Sequence, residues 1–310
     1  MLKLGIIGMS EGNGHPYSWS AIINGSYDPV LMQDCGFPVI PAYLAGNSDT
    51  LGIDGAKVTR VWCKEGVELA QKVARASHIE AAVEKMEDMI GQVDAVLIAR
   101  DDPENHVVMA KPFIEAGVPV FIDKPLAFSR EDLNYFTSQV QAGKFIMSSS
   151  ALRYSAGVQA NREKIKNLGQ IRLCVATGPK YLRTYAIHYL EGMFSLLGDP
   201  QALRVQHIGT DGRNTIRVEL ANGAEAFVHV IKDITAGELN VYGTAGHVSV
   251  DHGGSYTCFR AQLVEFVRSL QAGKPRTDFK ITHNLINTLV GARESMNAGG
   301  KIIELTEYAL

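Results

Sequence analysis

Short apolar runs alternate with helix-like stretches through the first part of the chain. The runs are residues 2–7, 58–62, 93–99 and 118–122. The run at 93–99 is almost continuously apolar, which is typical of a parallel strand buried on both faces. Apolar residues recur with helical spacing over 67–74, 79–90 and 103–116. Strands that alternate with helices predict a parallel, doubly wound sheet with crossover helices.

The pattern changes after about residue 144, where strands are joined by tight turns. Ala221-Asn222-Gly223 separates the apolar alternation of 215–220 from that of 224–231, which is a strong hairpin signal. Other predicted strands are 144–147, 171–176, 239–242, 247–250 and 301–305, and predicted helices are 156–168, 188–197, 258–271 and 280–298. Hairpins in series indicate an antiparallel sheet, so this half is predicted to be α+β.

Residues 28–55 fit neither pattern, because Pro29, Pro38, Pro41 and several glycines interrupt any periodicity. They lengthen the connection between the first two strands well beyond the usual few residues. An insertion near the carboxyl end of a strand is often a lid or an oligomer contact. A surface elaboration without function is the alternative interpretation.

Composition narrows the class of protein. A chain of 310 residues, 46% hydrophobic and 20% charged, has the make-up of a globular protein and the length for two domains. A net charge of −3 without a basic run argues against nucleic acid or a membrane surface as partner. No N-terminal signal pattern and no run of 18 apolar residues is present, so we expect a cytoplasmic protein. Four scattered cysteines favour buried, reduced thiols over disulfides or a metal site.

A turn rich in glycine, Gly-Met-Ser-Glu-Gly-Asn-Gly-His at 8–15, follows the first apolar run. In dinucleotide-binding domains such a turn lets the backbone approach a pyrophosphate, whose charge lies at the start of the next helix. Ser10 occupies the second glycine position of Gly-x-Gly-x-x-Gly, so a plain tight turn is the alternative. The cofactor-binding residues expected here are Gly8, Met9, Ser10, Gly12, Gly14 and His15.

The second apolar run leads into Val-Trp-Cys-Lys-Glu at 61–65, where NAD-binding domains carry an acidic residue for the ribose hydroxyls. Cys63 takes that acidic place and Lys64 follows it. A cation near this position would tolerate a 2′-phosphate, so we expect NAD or NADP, with NADP slightly favoured. A solvated Lys64 at the start of a helix is the alternative.

Polar residues follow two neighbouring apolar runs, at 99–106 and 121–127. Both segments lie at the carboxyl ends of predicted parallel strands, where open α/β sheets bind their ligands. The expected cofactor neighbours are Asp101, Asp102, Pro103, His106 and Lys124.

Residues 115–127 read Glu-Ala-Gly-Val-Pro-Val-Phe-Ile-Asp-Lys-Pro-Leu-Ala. This segment resembles the Gfo/Idh/MocA family of glucose–fructose oxidoreductases, inositol dehydrogenases and rhizopine-catabolism proteins, in which Glu-Lys-Pro follows an Ala-Gly-x-x-Val approach. Asp123 replaces the glutamate, and His106 stands where the family has a loop histidine. Looser similarities at 152–154, 242–246 and 266–275 extend the resemblance over most of the chain.

The resemblance implies that Lys124 hydrogen-bonds a carbinol oxygen and shares its proton while hydride leaves the carbon. It implies that His188, in a segment similar to a helix-borne His-x-x-Asp, is the acid–base partner. Thr184 stands where relatives have an aspartate, so a charge that would stabilise an imidazolium is missing. The substrate-lining residues expected are Arg153, Tyr181, Thr184, Tyr185 and His188, and exposed residues of a sheet rim are the alternative for Arg153, Tyr181 and Tyr185.

We therefore expect an α/β protein with two domains. Residues 1–123 would form a dinucleotide-binding Rossmann domain, and residues 124–310 an α+β substrate-binding and oligomerisation domain with a large, open, mostly antiparallel sheet. Such sheets pair in the family, which implies a homodimer or homotetramer. The leading hypothesis is NAD(P)-dependent hydride transfer to or from a hydroxyl or carbonyl carbon of a sugar, polyol or related small molecule. The alternatives are a cofactor-binding regulatory protein without turnover and a redox-assisted hydrolase or lyase.

Overall fold

Two compact units make up residues 1–308, the part of the chain that the computed structural model describes. Unit 1 consists of residues 1–123, 138–148 and 259–277, and unit 2 of residues 124–137, 149–258 and those from 278 onward. Within residues 1–308 no helix has the length and apolar character needed to cross a membrane. All four cysteines are buried thiols, as the sequence predicts.

Ten helices are found among the described residues. In chain order they are α1 (His15–Asn24), α2 (Pro29–Gln33), α3 (Val39–Ala45), α4 (Val67–Ala76), α5 (His106–Glu115), α6 (Arg130–Gln141), α7 (Ala156–Ile165), α8 (Leu182–Leu197), α9 (Ser255–Gln271) and α10 (Phe279–Asn297).

A parallel sheet of six strands forms the centre of unit 1. Its strands are β1 (Leu2–Gly8), β2 (Ala56–Cys63), β3 (Ala81–Ala82), β4 (Ala95–Ile98), β5 (Val120–Ile122) and β6 (Ile146–Ser148). Their spatial order, β3-β2-β1-β4-β5-β6, is that of a Rossmann sheet and confirms the predicted fold class. The order reverses between β1 and β4, and the carboxyl ends of these strands border the crevice that binds ligands in such folds.

Two predictions for unit 1 need correction. The helix expected over 79–90 is wrong, because Ala81 and Ala82 pair with β2 and only one 3-10 turn, Met86–Met89, follows. The strand expected at 144–147, assigned to the second half of the chain, is β6 of the parallel sheet, where Ile146 pairs with Val120. Short apolar segments do not reveal which sheet supplies their hydrogen bonds.

The insertion at 28–55 folds into α2, α3 and a 3-10 turn at Ser48–Thr50. The Asp28 carboxylate caps α2 by accepting hydrogen bonds from two backbone amides. The insertion packs against the turn at 8–15, because a Cβ built on Gly14 would lie 2.6 Å from side-chain atoms of Phe37 and Ile40. The insertion therefore contacts the predicted cofactor turn, and it also contacts α4 and α1, because the Asp28 amide donates to the Ala76 carbonyl and the Gly52 amide to the Ile22 carbonyl, each over 2.9 Å.

A seven-stranded mixed sheet forms the centre of unit 2. Its strands are β7 (Ile171–Pro179), β8 (Ala202–His207), β9 (Arg213–Leu220), β10 (Glu225–Ile231), β11 (Glu238–Gly243), β12 (Gly246–Val250) and β13 (Ile303–Glu304). The spatial order is β12-β11-β7-β10-β9-β8-β13. The neighbouring strands β7 and β10 pair in parallel, and the other neighbouring pairs among these strands are antiparallel. Buried residues alternate with half-exposed ones along β9 and β10, so one face of the open sheet is covered and the other is accessible.

Candidate active site

The turn at 8–15, called the glycine turn below, runs from Gly8, the last residue of β1, to His15, the first residue of α1. Gly12 adopts a φ of 75°, and a Cβ built there would meet no atom of residues 1–308 within 4 Å. A glycine in open space at a strand's carboxyl end lets a ligand come close to the backbone. The turn therefore fits a dinucleotide at Gly12, although it lacks the second glycine of the usual motif.

The second glycine of the usual motif is replaced by Ser10, and hydrogen bonds from side chains hold this part of the glycine turn in position. The buried Arg100 guanidinium donates to the carbonyl of Met9, and the Met9 amide donates to the Glu65 carboxylate over 3.2 Å. Ser10 donates its hydroxyl to Asp101 over 2.8 Å. Burial alone would raise the pKa of Asp102, but its hydrogen bonds from Arg100 outweigh that effect and lower the pKa below its ordinary value.

The predicted ribose position is occupied by a group without charge. Cys63 is buried, and burial together with the Glu65 charge raises the pKa of its thiol to about 12. The thiol is therefore neutral at physiological pH. Lys64 is exposed and donates to the side-chain oxygen of Asn105 over 3.1 Å. Among the residues after β2, Glu65 is the one whose charge reaches the glycine turn.

Two further predicted residues are placed by the segment after β4. Pro103 begins a short 3-10 turn that leads into α5. His106 is fully buried, and its Nε2 lies 2.9 Å from the Arg100 carbonyl oxygen. This contact fixes the backbone beside Arg100.

The far end of the glycine turn is attached to the end of β5. Asp123 is 1% exposed, and its carboxylate accepts a hydrogen bond from Asn13 over 3.1 Å and lies 2.6 Å from Nδ1 of His15. The His15 ring stacks on Trp19, with ring centres 4.7 Å apart. Asp123, which replaces the family's glutamate, is thus joined to the turn directly before Lys124 in the chain.

Lys124 belongs to unit 2, where it is buried and its Nζ lies 5.6 Å from the ring centre of Tyr185. Tyr185 lies in the first turn of α8, and its hydroxyl accepts a hydrogen bond from Lys180 over 2.5 Å. Lys180 has a φ of 73°, a left-handed conformation that is uncommon for a residue with a side chain. These three residues bring two ammonium groups and a phenol together.

His188 lies one helical turn after Tyr185, with the two ring centres 5.1 Å apart. Its Nδ1 is 2.6 Å from the hydroxyl oxygen of Ser150, which also accepts from the Leu152 amide. Thr184 is half-buried at the start of the same helix. Neither the Ser150 hydroxyl nor Thr184 carries a charge, so neither can stabilise an imidazolium as a carboxylate would.

An ion-pair triad lies beneath this face of α8. Arg153 donates to Glu191 over 2.5 Å and to both oxygens of Asp199 over 2.5 and 3.2 Å. Although burial favours a neutral guanidine, the two carboxylates raise the pKa of Arg153 above its ordinary value. Burial raises the pKa of Glu191, with Arg153 and the Ser150 amide opposing it. The Ser150 amide donates to Glu191, so the triad positions the residue that contacts His188.

The predicted site residues thus fall into two groups. The glycine turn, Asp101, Asp102, Pro103 and His106 lie in unit 1, and Lys124, Tyr185 and His188 form one cluster in unit 2. Tyr181, the residue before the first residue of α8, is 52% exposed, and the Lys232 ammonium lies over its ring. Arg153, predicted from the sequence to line the substrate, is engaged in the ion-pair triad with Glu191 and Asp199. The sequence analysis missed Glu65, Arg100, Ser150 and Lys180. No motif marks Glu65, Arg100 or Ser150, because the partners that bring them to the site are distant in the chain, whereas Lys180 contacts Tyr185 only five residues later.

Comparisons with solved structures agree with the fold of the chain. The structure matches myo-inositol dehydrogenase from Lactobacillus casei, in complex with NAD(H) and myo-inositol, with a TM-score of 0.78 and 16% identity over 100% of this chain and 98% of that one. It matches myo-inositol 2-dehydrogenase from Lactobacillus plantarum with a TM-score of 0.76 and 15% identity over 98% and 99%. At these identities the matches show a shared fold.

Sequence comparison finds similarity over part of the chain. A protein of Amycolatopsis mediterranei, named as the oxidoreductase subunit of a UDP-kanosamine synthase, is 28% identical over 67 residues, and the match spans 22% of this chain and 19% of that relative. The family model for Gfo/Idh/MocA proteins, described as "Oxidoreductase family, NAD-binding Rossmann fold", matches residues 40–147. The family model includes the Asp-Lys-Pro segment, so the predicted resemblance is confirmed there: residues 40–147 are similar to the NAD-binding Rossmann domain of Gfo/Idh/MocA oxidoreductases.

Proposed function

We propose that this protein is a dehydrogenase or reductase that transfers hydride between a nicotinamide dinucleotide and a hydroxyl or carbonyl carbon of a sugar, polyol or related small molecule. The observation that carries this proposal is the cluster of Lys124, Tyr185 and His188 in unit 2, on a chain whose matched domain is NAD-binding. In this proposal unit 1 holds the dinucleotide and unit 2 holds the substrate.

The three side chains of the cluster have separate tasks in the proposed reaction. Lys124 donates a hydrogen bond to the substrate oxygen and shares its proton as the carbon–hydrogen bond breaks. His188 accepts or returns that proton through Nε2, because Ser150 engages Nδ1. A bound nicotinamide supplies the acceptor or donor of the hydride.

Tyr185 forms a wall between the ammonium and the imidazole. Its ring centre lies 5.6 Å from Lys124 Nζ and 5.1 Å from the ring centre of His188, and Lys180 fixes its hydroxyl. Because Ser150 and Thr184 cannot stabilise a charged His188, we assign the principal proton transfer to Lys124. Tyr181 and Thr184 border the same helix start and would line the substrate.

The choice between NAD and NADP depends on residues after β2. The exposed Lys64 ammonium, which donates to a neutral amide oxygen of Asn105, favours NADP because it can turn toward a 2′-phosphate. Fluorescence titration of Lys64→Met with NADH and NADPH separates the two. Under the NADP proposal the variant loses affinity for NADPH and keeps its affinity for NADH, whereas two unchanged affinities assign the cofactor to NAD.

The accessible face of the unit 2 sheet supports a homodimer or homotetramer. This face carries half-exposed apolar residues, among them Val175, Phe227 and Ile231, beside an Arg217–Glu225 ion pair. Apolar residues flanked by paired charges suit a second copy of the same surface. Light scattering of the wild type and of Phe227→Glu tests this, with a smaller particle expected for the variant. A cytoplasmic location is proposed with it and is tested by cell fractionation.

The test of the proposed function measures binding and turnover separately. Purified protein is titrated with NADH and NADPH by fluorescence, and is then assayed for oxidation of myo-inositol, scyllo-inositol, glucose and related polyols. We expect binding of at least one dinucleotide and turnover of at least one polyol. Lys124→Ala should lower kcat about 10²- to 10⁴-fold with little change in dinucleotide affinity, while the exposed control Lys111→Ala leaves both unchanged.

The outcomes also decide between the alternatives. Binding without turnover of any carbonyl or hydroxyl substrate would favour a regulatory protein. The specific reason to consider this alternative is that the residue four positions before His188 is the neutral Thr184 and not an aspartate. A cofactor that stays bound and never exchanges would favour a redox-assisted hydrolase or lyase. Absence of binding to both dinucleotides refutes the proposal.

A further inference from the structure

The Glu65 carboxylate accepts hydrogen bonds from two donors at the start of the glycine turn. Its Oε2 accepts from the Met9 amide over 3.2 Å, and its Oε1 accepts from Nη1 of Arg100 over 3.2 Å. A backbone N–H of a turn combined with a guanidinium is also how proteins bind a phosphate oxyanion. The carboxylate therefore stands where an external anion would find the same two partners.

Arg100 is rigidly placed to offer this donor. It is 3% exposed, its Nε and Nη2 donate to both oxygens of Asp102 over 2.9 and 2.7 Å, and its Nη1 donates to the Met9 carbonyl. The guanidinium thus stays against the turn whether or not Glu65 remains bound to it. It also compensates the charge of Asp102, which would otherwise repel an anion.

The helix that follows the turn offers fewer donors than Rossmann helices normally do. The His15 amide already donates to the Asn13 side chain over 2.8 Å, and Pro16 has no amide hydrogen. The Tyr17 amide donates to the Gly14 carbonyl. A pyrophosphate at this turn therefore needs donors other than the first turn of α1.

Glu65 is the exchangeable member of the arrangement. Its side chain is 43% exposed, in contrast to 4% for that of Arg100, and both of its hydrogen bonds are long. An exposed carboxylate can rotate into solvent at little cost, because water replaces its hydrogen bonds. The buried partners cannot move in this way.

We infer that the Met9 amide and Arg100 form a phosphate-binding subsite, and that Glu65 occupies it until the pyrophosphate of a dinucleotide displaces the carboxylate. This inference rests on the proposed function for the identity of the ligand. The displacement involves no covalent change: one anion leaves two hydrogen-bond donors and another takes them. Glu65 thereby competes with the ligand and lowers its affinity.

The test uses inorganic pyrophosphate, measured by titration calorimetry on the full-length protein, with Glu65→Ala as the main variant. Removing the competing carboxylate should tighten pyrophosphate binding about three- to tenfold. Glu68→Ala is the matched control, since it removes an exposed carboxylate from the first turn of α4 without emptying the subsite. Arg100→Gln should weaken pyrophosphate binding about tenfold or more. Arg100→Lys keeps the positive charge and should disturb the fold less, and its affinity should lie between those of the wild type and Arg100→Gln.

The outcomes separate this inference from the proposed function. Tighter pyrophosphate binding by Glu65→Ala but not by Glu68→Ala supports the inference. Equal affinities for the wild type and both glutamate variants overturn it, even if NADH binds and turnover is observed. Conversely, a wild type that binds neither NADH nor NADPH refutes the proposed dinucleotide function, while a gain in pyrophosphate affinity would still establish the subsite.

Discussion

The triad of Arg153, Glu191 and Asp199 allows a demanding test of the packing beneath the candidate active site. The side chains are 8%, 2% and 15% exposed, so water cannot replace a partner that is removed. Arg153→Met keeps much of the side-chain volume but leaves the Glu191 carboxylate buried without its cation. We expect the free energy of unfolding to fall by about 3–5 kcal/mol, the cost of breaking a buried ion pair from one side.

The pH dependence of this variant has a defined sign. Burial already raises the pKa of Glu191, and losing the attraction of Arg153 should raise it further. The folded protein then binds a proton more readily than the unfolded chain, so the free energy of unfolding falls as pH rises above the ordinary pKa of a glutamate and through the raised pKa of Glu191 in the folded protein. The double variant R153M/E191Q removes the Glu191 charge and leaves only that of Asp199 without its cation, so it should recover part of the loss.

Urea unfolding followed by circular dichroism measures these differences. Both tryptophans, Trp19 and Trp62, lie in unit 1, so their fluorescence in the same samples shows whether unit 1 is affected. We expect the dichroism transition to move more than the fluorescence transition. A loss under about 1 kcal/mol, the value of a solvent-exposed pair, or a loss independent of pH, would refute the reasoning.

Two other stability predictions follow from unit 2. Gly178→Ala places a Cβ 1.8 Å from the hydroxyl oxygen of the buried Tyr189 and should cost about 1–3 kcal/mol, whereas Gly254→Ala, in open space, should cost almost nothing in the same urea assay. Burial, with the Arg130 charge adding to it, lowers the pKa of His283 from 6.5 to about 4. The unfolded chain therefore binds the extra proton first, so the free energy of unfolding should fall by about 2–3 kcal/mol as pH decreases from 6.5 to 4, and His283→Gln should remove this component.

The sequence predicts the central strands well because their composition is dictated by burial. All four residues of β4 are buried, and a continuous apolar run has no other stable placement in a parallel sheet. The hairpin of β9 and β10 is equally predictable, since Ala221-Asn222-Gly223 specifies its turn. Local pattern and local chemistry coincide in these elements.

Prediction fails where pairing is decided by distant residues. β3 has only two residues, and it forms because the backbone of Arg60 and Val61 at the edge of β2 pairs with Ala81 and Ala82. The helical spacing over 79–90 therefore does not predict the structure of this segment. β6 belongs to the first sheet for the same reason. Likewise, the contact between Ser150 and His188 joins residues 38 positions apart and leaves no periodic signal.

Two of the departures from the pattern of the family that the chain resembles, at Ser10 and Thr184, are accompanied by side-chain contacts. Ser10 lacks the conformational freedom of the missing glycine, and here Arg100 and Glu65 hold the Met9 peptide from both sides. Thr184 lacks the charge of the missing aspartate, and here Ser150 orients His188. The family model begins to match at residue 40, after the glycine turn, where the first of these departures lies. If the contacts compensate for the departures, restoring the family residue alone should not help: Ser10→Gly without a change at Arg100 should leave dinucleotide affinity unimproved, because the donors of the turn remain bound to Glu65.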